Sequence, residues 1–289
     1  MDPDDEHPWR PVARAPLSPA LATAVAELAA AGVASPRVDA ELLAAHVLEI
    51  PRGRLLLAGS MRADELRRFR VLVAERARRI PLQHLLGTAA FRHLELSVGD
   101  GVFVPRPETE LLAGWGIARA HAGDVVVDLC SGTGAIALSL ADEVKDIDVY
   151  AVERSPVALS FLRRNAAAFP RVRVVEGDVT DPGLLAGLRA GLVLCNPPYV
   201  PDGTAVPPEV AEHDPADAVF GGADGLDVIR PVIAVAARLL RAGGYFGIEH
   251  DDAHGSAVPA LLRADGRFTE VTAHDDLTGR PRFATARRT

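Results

Sequence analysis

The feature that most constrains the fold is a regular alternation of apolar strands and helical stretches between Asp124 and Ile248. This βαβα order predicts a parallel sheet with helices on both faces. Two further extended segments near the carboxyl end are joined only by a short Gly-Arg-Pro link, so we expect them to pair antiparallel. The predicted strands are Val125–Leu129, Val149–Val152, Val172–Val175, Leu192–Cys195, Tyr245–Ile248, Phe268–Val271 and Arg282–Ala286.

A helical region precedes these strands. Apolar residues recur there at helical spacing, and a capping serine followed by a proline marks the start of a second helix. We predict a small helical domain over residues 18–80. Residues 1–17 are acidic and rich in proline and are predicted to be a mobile tail. Alternating residues in 81–104 predict a β-hairpin linker, which leaves residues 105–289 for the α/β domain.

Composition narrows the class of protein. Of the 289 residues, 48% are hydrophobic, which excludes a disordered or collagen-like chain. No apolar run approaches the ~20 residues of a membrane helix, and the acidic start of the chain does not resemble a signal peptide. With only two cysteines, we expect a protein of the reducing cytoplasm. The formal net charge of −8 argues against a protein that coats nucleic acid.

A glycine-rich loop follows the first strand of the α/β domain. Residues Asp128 to Gly134 read Asp-Leu-Cys-Ser-Gly-Thr-Gly, and a helix is predicted from Ala135. Glycines at such a turn let a ligand approach the backbone beside the positive end of the helix. The loop alone is also compatible with a dinucleotide site or with a purely structural turn.

Acidic residues at the strand ends favour S-adenosylmethionine as the ligand of this loop. Glu153 ends the second strand, where an acid hydrogen-bonds ribose hydroxyls, and Asp178 follows the third, at a position suited to an adenine amino group. Asp128 would repel a pyrophosphate, whereas it attracts the ammonium and sulfonium groups of S-adenosylmethionine. We therefore predict an S-adenosylmethionine site.

The fourth strand is followed by Asn196-Pro197-Pro198-Tyr199. Two successive prolines make a rigid turn, whose carbonyls can accept hydrogen bonds from a ligand NH2 group together with the Asn196 side-chain oxygen. Tyr199 offers a flat face to a planar group. The methyl acceptor is therefore predicted to be a planar nitrogen, either an amide or the exocyclic amine of a base. Because asparagine is not a strong base, we expect rate enhancement from positioning and electrostatics.

These motifs resemble those of the protein-(glutamine-N5) methyltransferases that modify peptide chain release factors, the PrmC/HemK family. The resemblance covers nearly everything after residue 17. Its segment Phe103–Glu110, Phe-Val-Pro-Arg-Pro-Glu-Thr-Glu, is much more specific than the glycine loop. The other similar segments are Ser35–Leu43, Pro51–Arg54, Pro81–Gly87, Asp128–Gly134, Asn196–Tyr199, Gly221–Asp227 and Asp276–Arg280.

The resemblance implies a Rossmann-like class I S-adenosylmethionine-dependent methyltransferase fold, with a seven-stranded mixed sheet and a small N-terminal helical domain. It implies an enzyme that methylates the side-chain N5 of the glutamine in the Gly-Gly-Gln loop of a release factor, which the helical domain grips. The implied cofactor-binding residues are Asp128, Cys130, Ser131, Gly132, Thr133, Gly134, Glu153, Asp178, Val179 and Asn196. The implied substrate-binding residues are Phe103, Glu108, Asn196, Pro197, Pro198 and Tyr199, with Asn196, Pro197 and Tyr199 in catalysis and the segment from Phe103 to Glu108 as the roof of the pocket.

Two segments depart from the family pattern. Cys130 and Ser131 stand where glycine or threonine is more usual, which the fold tolerates if the φ angle there is negative. Residues 249–254, Glu-His-Asp-Asp-Ala-His, replace Glu-x-Gly-x-x-Gln. We interpret the two histidines as a solvated helix start and not as a metal site, and we expect no metal. Cys130 and Cys195 are interpreted as small buried residues, because no general base is adjacent to either.

Two questions stay open at this point: what the basic stretch contacts, and whether the methyl acceptor is an amide or a base. The stretch from Arg52 to Arg92 holds ten arginines and three acidic residues, a local charge of 10 − 3 = +7. It is compatible with a solvated helix face, a docking face for an acidic protein, or RNA contact. The alternative function is an N6-adenine nucleic-acid methyltransferase, which would need a basic groove at the catalytic face. We expect release factors as partners, no membrane, no direct nucleic-acid substrate, and a monomer.

Overall fold

A computed structural model describes residues 14–289 of the chain. Residues 1–13, most of the predicted tail, lie outside the described residues. The chain divides between Leu86 and Gly87 into two compact units. The boundary therefore follows the predicted helical domain by one short helix, and the predicted hairpin linker belongs to the second unit.

The first unit is helical. Its core is formed by one apolar face of each long helix, with Leu28, Leu43 and Phe69 at most 1% exposed. The end of the predicted tail is structured, because Arg14–Pro16 pairs antiparallel with Ser60–Arg62. The elements are β1 (Arg14–Pro16), α1 (Leu17–Ala30), α2 (Pro36–Leu48), α3 (Leu55–Ala58), β2 (Ser60–Arg62), α4 (Ala63–Ala77) and α5 (Leu82–Leu86).

The second unit contains a hairpin and a seven-stranded mixed sheet. The hairpin strands, β3 (Thr88–Phe91) and β4 (Leu94–Ser97), pair antiparallel as predicted. The strands of the large sheet are β5 (Val125–Leu129), β6 (Asp148–Glu153), β7 (Val172–Glu176), β8 (Ala190–Cys195), β9 (Leu240–Glu249), β10 (Phe268–Asp275) and β11 (Pro281–Arg288). Their order is β10-β11-β9-β8-β5-β6-β7. Strands β5 to β9 run parallel, and β10 and β11 are antiparallel, which confirms the predicted mixed sheet.

Both faces of the large sheet are covered, as the near-continuous apolar strands predict. Val127 and Val193 belong to one buried cluster, whereas Val126 and Leu192 belong to another, because successive strand residues point to opposite faces. The helices of this unit are α6 (Thr109–Ile117), α7 (Ala135–Glu143), α8 (Pro156–Ala166), α9 (Pro208–His213), α10 (Ala216–Val219), α11 (Ile229–Leu239) and α12 (Ala257–Asp265). None of the helices in residues 14–289 is long and apolar enough to cross a membrane.

The register of the parallel strands brings the predicted site segments to one edge. Leu129 pairs with Val152 on one side and with Cys195 on the other, and Cys195 pairs with Ile248. The residues that follow these positions therefore lie side by side at the carboxyl edge, where open α/β sheets bind ligands.

Candidate active site

A cavity of about 820 Å³ opens at this carboxyl edge. Its volume lies within the ~300–1,000 Å³ range of small-molecule pockets. Most of the residues predicted from the sequence line it together. These are Phe103, Asp128, Cys130, Ser131, Gly132, Thr133, Glu153, Asp178, Val179, Asn196, Pro197, Pro198 and Tyr199.

Two predicted residues do not line the cavity. Gly134 caps α7 with a φ of 96°, and a Cβ atom there would come within 2.7 Å of the side chain of Leu162. Its role is therefore to let the helix start against the sheet. Glu108 is exposed at the start of α6, so its predicted substrate contact is not supported by its position; the neighbouring Thr109 is buried and lines the cavity.

Glu153 holds the glycine loop in place. Its Oε2 accepts a hydrogen bond from the Gly132 N–H at 2.8 Å, and its Oε1 accepts from the N–H groups of Arg154 and Ser155, both at 2.8 Å. A carboxylate has about four acceptor positions, so one is left for a ligand hydroxyl. The ribose contact predicted for Glu153 remains a prediction.

Asp128 is a buried carboxyl, only 1% exposed. Its Oδ2 accepts from the Ala137 N–H at 3.1 Å, while Oδ1 has no hydrogen-bond partner among the described residues. Burial raises the pKa of Asp128 to about 7. The sequence interpretation treated this group as an ordinary carboxylate, but its surroundings disfavour the ionised form. An unsatisfied buried oxygen in a cavity wall is suited to a donor or cation supplied by a ligand.

The backbone at Cys130 differs from the expectation. Its φ angle is +59°, in the left-handed region, and not negative as the tolerance of a non-glycine residue required. The physical reason is the sharp turn after β5, which aims the Ser131 N–H at the Val152 carbonyl at 2.9 Å. A side chain in this region costs roughly 1–2 kcal/mol. Cys130 is half-buried at the cavity, whereas Cys195 is fully buried as interpreted.

Asp178 is oriented by its own turn. Its Oδ1 accepts hydrogen bonds from both the N–H and the hydroxyl of Thr180, at 2.7 Å each. These bonds lower its pKa, so the side chain is ionised at neutral pH. Arg154 lies 3.5 Å from Asp178 and 3.4 Å from Asp217. The predicted contact to an adenine amino group remains untested, but a fixed acceptor is present.

The Asn-Pro-Pro-Tyr turn is tied to two residues that sequence reasoning missed. The Asn196 Nδ2 donates to Thr109 Oγ1 at 3.1 Å, and the Tyr199 hydroxyl donates to Glu249 Oε1 at 2.9 Å. Glu249 is 1% exposed. Glu249 ends β9 just as Glu153 ends β6, so the strand-end signal used for Glu153 could have found it.

Glycines of the loop after α10 support this turn from behind. A Cβ atom at Gly225 would lie 2.4 Å from the Tyr199 carbonyl oxygen, and one at Gly221 would lie 2.7 Å from that of Pro198. The Gly221 N–H donates to the Val200 carbonyl at 2.9 Å. These close approaches explain why glycine recurs in the segment Gly221–Asp227.

The interpretation of His250 and His254 as a solvated helix start is wrong. The two side chains are 0% and 7% exposed, and His254 belongs to a short 3-10 turn, Asp252–His254, that packs against the segment Gly221–Asp227. His254 Nε2 lies 2.9 Å from the carbonyl oxygen of Asp224. Burial lowers the pKa of His250. Among residues 14–289, no group of three or more His, Cys, Asp or Glu side chains is arranged to hold a metal ion.

Part of the segment from Phe103 to Glu108, predicted as a roof, lies at the cavity. Phe103, Pro105 and Arg106 line the cavity. The Arg106 guanidinium lies 4.7 Å from the Phe103 ring centroid and forms an ion pair with Asp214. This stacking and pairing fix an aromatic ring at the cavity.

The charges of the lining suit a cationic ligand. Four acids line the cavity against two arginines, and each arginine is already paired with an acid. Even when Asp128 is protonated, three carboxylates remain against two arginines, which is unfavourable for a pyrophosphate. These acidic groups therefore fit the cationic S-adenosylmethionine better than a dinucleotide. The four acids are Asp128, Glu153, Asp178 and Asp217, and the arginines are Arg106 and Arg154.

The sheet order, the covering helices and the position of the cavity define a class I S-adenosylmethionine-dependent methyltransferase fold. A family model described as "Methyltransferase small domain" matches residues 109–213. The fold is shared with a Thermus thermophilus 16S rRNA N2 G1207 methyltransferase solved with AdoMet and guanosine. That similarity has a TM-score of 0.51 at 23% identity, over 70% of this chain and 50% of the other.

The family is more specific than the fold. The model of the "PrmC N-terminal domain" matches residues 19–87. The release factor glutamine methyltransferase of Mycolicibacterium smegmatis is 55% identical over 94% of this chain and 98% of its own. The Mycobacterium tuberculosis protein of the same name is 47% identical, over 94% and 91%. The chain therefore belongs to the release factor glutamine methyltransferase family, as the motifs indicated.

Proposed function

We propose that the protein transfers the methyl group of S-adenosylmethionine to the side-chain N5 of the glutamine in the Gly-Gly-Gln loop of a peptide chain release factor. One observation carries the proposal beyond the family relationship. The Asn196 amide nitrogen is engaged by Thr109 at 3.1 Å, which leaves its Oδ1 as an acceptor at the cavity. A planar NH2 group is the donor that fits this acceptor.

The residues that would hold the cofactor belong to the glycine loop and to the following strand ends. Glu153 and Asp178 are oriented acceptors for hydroxyl and amino groups, and Asp128 adds an unsatisfied oxygen. When bound, S-adenosylmethionine supplies a methyl group activated by a sulfonium. The side chains around it contribute orientation and a complementary charge.

The acceptor end works by positioning. Asn196 Oδ1 and the Pro197 carbonyl accept the two hydrogens of the glutamine amide in this proposal, which orients its nitrogen and stabilises the positive charge that develops there. Tyr199 and Phe103 provide flat surfaces for the planar amide. Because neither acceptor is a strong base, the amide loses its proton after it has been methylated.

The helical unit is the proposed docking face for the release factor. Part of its positive charge is used internally: Arg52 pairs with Glu41 at 2.7 Å. Arg67, Arg68 and Arg70 on α4 are exposed and form no ion pair with any residue from 14 to 289. These free guanidinium groups suit an acidic protein surface.

The test is a transfer assay with methyl-labelled S-adenosylmethionine. We expect label in purified release factor and none in a release factor whose Gly-Gly-Gln glutamine is replaced by alanine. Unmethylated DNA is the second substrate and is expected to stay unlabelled. Label in DNA, with none in the release-factor glutamine, would overturn the proposal in favour of an N6-adenine methyltransferase.

A further inference from the structure

Glu249 is a buried acid whose contacts lead to both ends of the acceptor turn. It ends β9 and is 1% exposed. Its Oε1 accepts from the Tyr199 hydroxyl at 2.9 Å, and the Thr109 hydroxyl adjoins the carboxyl group and lowers its pKa. Its Oε2 makes no well-formed hydrogen bond to a described residue. A buried carboxyl without an ion pair is costly, so its position beside Tyr199, which lines the cavity, points to a role in the site.

The direction of each hydrogen bond in this network depends on which groups can donate a proton. The Thr109 oxygen already accepts the Asn196 Nδ2–H at 3.1 Å, and Thr109 is only 3% exposed. The Thr109 proton therefore needs an acceptor other than Asn196, and the unpartnered Oε2 of the adjoining Glu249 is a buried oxygen that can provide it. An ionised carboxylate can only accept, so a Thr109 hydroxyl that donates to Glu249 keeps its oxygen lone pair facing Asn196.

We propose that Glu249 is a positioning residue that, through Thr109, holds the Asn196 amide with its nitrogen toward the protein and its oxygen toward the methyl acceptor. The same carboxyl fixes the ring of Tyr199 by its hydroxyl. The inference rests on the proposed function of Asn196 as the acceptor of the glutamine NH2. It assigns a role to Thr109 and Glu249, which bind neither cofactor nor substrate by this account.

Glutamine at position 249 is the informative replacement. It keeps the volume of the glutamate side chain, but its amide can donate as well as accept hydrogen bonds. Its NH2 group can donate to Thr109, which then turns its own proton toward Asn196 and favours the flipped amide. A misplaced acceptor of this kind costs up to about 100-fold in rate. We expect Glu249→Gln and Thr109→Val to lower kcat by about 10- to 100-fold. The KM for the release factor and the Kd for S-adenosylmethionine should change less than about threefold.

Thr109→Ser is the matched control. It keeps the hydroxyl and removes only a methyl group, so it should recover most of the kcat that Thr109→Val loses. Equal losses in the two variants would show that packing and not the hydroxyl matters, and would overturn the inference. So would a Glu249→Gln enzyme with wild-type kcat.

The pH profile gives a readout that packing does not move. Burial raises the pKa of Glu249 to about 7, opposed by the hydroxyls of Thr109 and Tyr199 and by Arg282, and reinforced by the charge of Glu108. Cys195 also faces this carboxyl. Below this pH the Glu249 carboxyl is protonated and can donate a hydrogen bond, so it no longer fixes the direction of the Thr109 hydroxyl. We therefore expect kcat to fall as the pH drops through about 7.

Asp128 in the cavity also has a pKa of about 7, so kcat is measured at saturating S-adenosylmethionine, and Asp128→Asn is measured in parallel. The acid limb of kcat should disappear in Glu249→Gln and persist in Asp128→Asn. An unchanged acid limb in Glu249→Gln would contradict the inference.

A spectroscopic measurement separates this inference from the proposed function. In 15N-labelled protein, the side-chain NH2 resonances of Asn196, identified by their loss in Asn196→Asp, should shift in Thr109→Val and Glu249→Gln but not in Thr109→Ser. This result does not depend on which substrate is methylated. If no release factor is labelled while these shifts occur, the proposed function fails and the positioning network stands; absence of the shifts overturns the network alone.

Discussion

The two units treat buried acids in opposite ways. In the helical unit, Asp39 is 7% exposed and lies 2.8 Å from the guanidinium of Arg76, which is equally buried. In the α/β unit, Asp128 and Glu249 are each 1% exposed, and neither forms an ion pair with a residue in the described range 14–289. Burial raises both of their pKa values to about 7.

The presence or absence of an ion pair distinguishes acids that are buried to support the fold from acids that are buried at a candidate active site. A buried charge that serves only the fold needs a partner, because its desolvation is otherwise uncompensated. Asp128 lines the cavity and Glu249 accepts from the Tyr199 hydroxyl, and each has one oxygen without a hydrogen-bond partner among the described residues. Functional sites are commonly the places where such perturbed groups persist. Removing polar groups should therefore cost stability in the helical unit and activity in the α/β unit.

The largest expected effect is on activity, from Asn196→Ala. Loss of the oriented acceptor should lower kcat by roughly 10³-fold, the upper range for removing one preorganised polar group from an active site. Cofactor affinity should change little, because the glycine loop, Glu153 and Asp178 remain. Steady-state kinetics and calorimetry of S-adenosylmethionine binding measure the two quantities. Abolished binding with retained kcat would contradict the assignment.

The largest expected effect on stability is from Asp39→Ala. It removes the carboxylate that pairs with the buried guanidinium of Arg76 and should lower the free energy of unfolding by about 3 kcal/mol. Glu41→Ala is the matched control, because Glu41 pairs with the exposed Arg37 and Arg52 and should cost less than about 1 kcal/mol. Urea unfolding measures both. Equal losses would erase the distinction between the buried and surface pairs.

The uncompensated acids should make stability fall as pH rises. The pKa values of Asp128 and Glu249 are raised from 3.8 and 4.5 to about 7, so the folded state binds more protons than the unfolded state between about pH 4 and 7. Stability contributed by these protons is complete below the unfolded pKa and is lost as pH rises through about 7. The loss should be of the order of a few kcal/mol for each group, because a difference of one in pKa corresponds to about 1.4 kcal/mol.

Asp128→Asn should flatten this pH dependence in the ligand-free protein, as followed by thermal unfolding at several pH values. Asp276→Asn is the control of opposite sign. The hydroxyl of Thr278 lowers the pKa of Asp276, so its carboxylate stabilises at neutral pH and its loss should weaken the fold there. A steeper pH dependence in Asp128→Asn would refute the assignment.

The smallest expected effect is a gain in stability from Cys130→Gly. Glycine adopts a φ of +59° without the steric cost of a side chain, a relief partly offset by its greater freedom when unfolded. The net gain should be at most about 1 kcal/mol. Cys195→Gly, in a fully buried strand, should be destabilising instead. If both variants lose stability, the backbone at Cys130 is not strained.

The sequence alone determined the order of the strands and helices, the mixed sheet and the family. Strand periodicity and strand ends are local signals, and they placed Glu153, Asp178 and the Asn196 turn at one edge of the sheet. The specific roles of these residues in binding and transfer remain predictions. The N-terminal boundary was less accurate, because the pairing of Arg14–Pro16 with Ser60–Arg62 joins segments far apart in the chain.

Only the tertiary structure decided which side chains meet. Thr109 and Asn196 are 87 positions apart, and Tyr199 and Glu249 are 50 apart, so no local pattern links them. The burial of His250 and the positive φ of Cys130 depend in the same way on what packs against each segment. Periodicity reports which face of an element is apolar; hydrogen-bond partners and pKa values depend on the three-dimensional neighbours that the sheet order supplies.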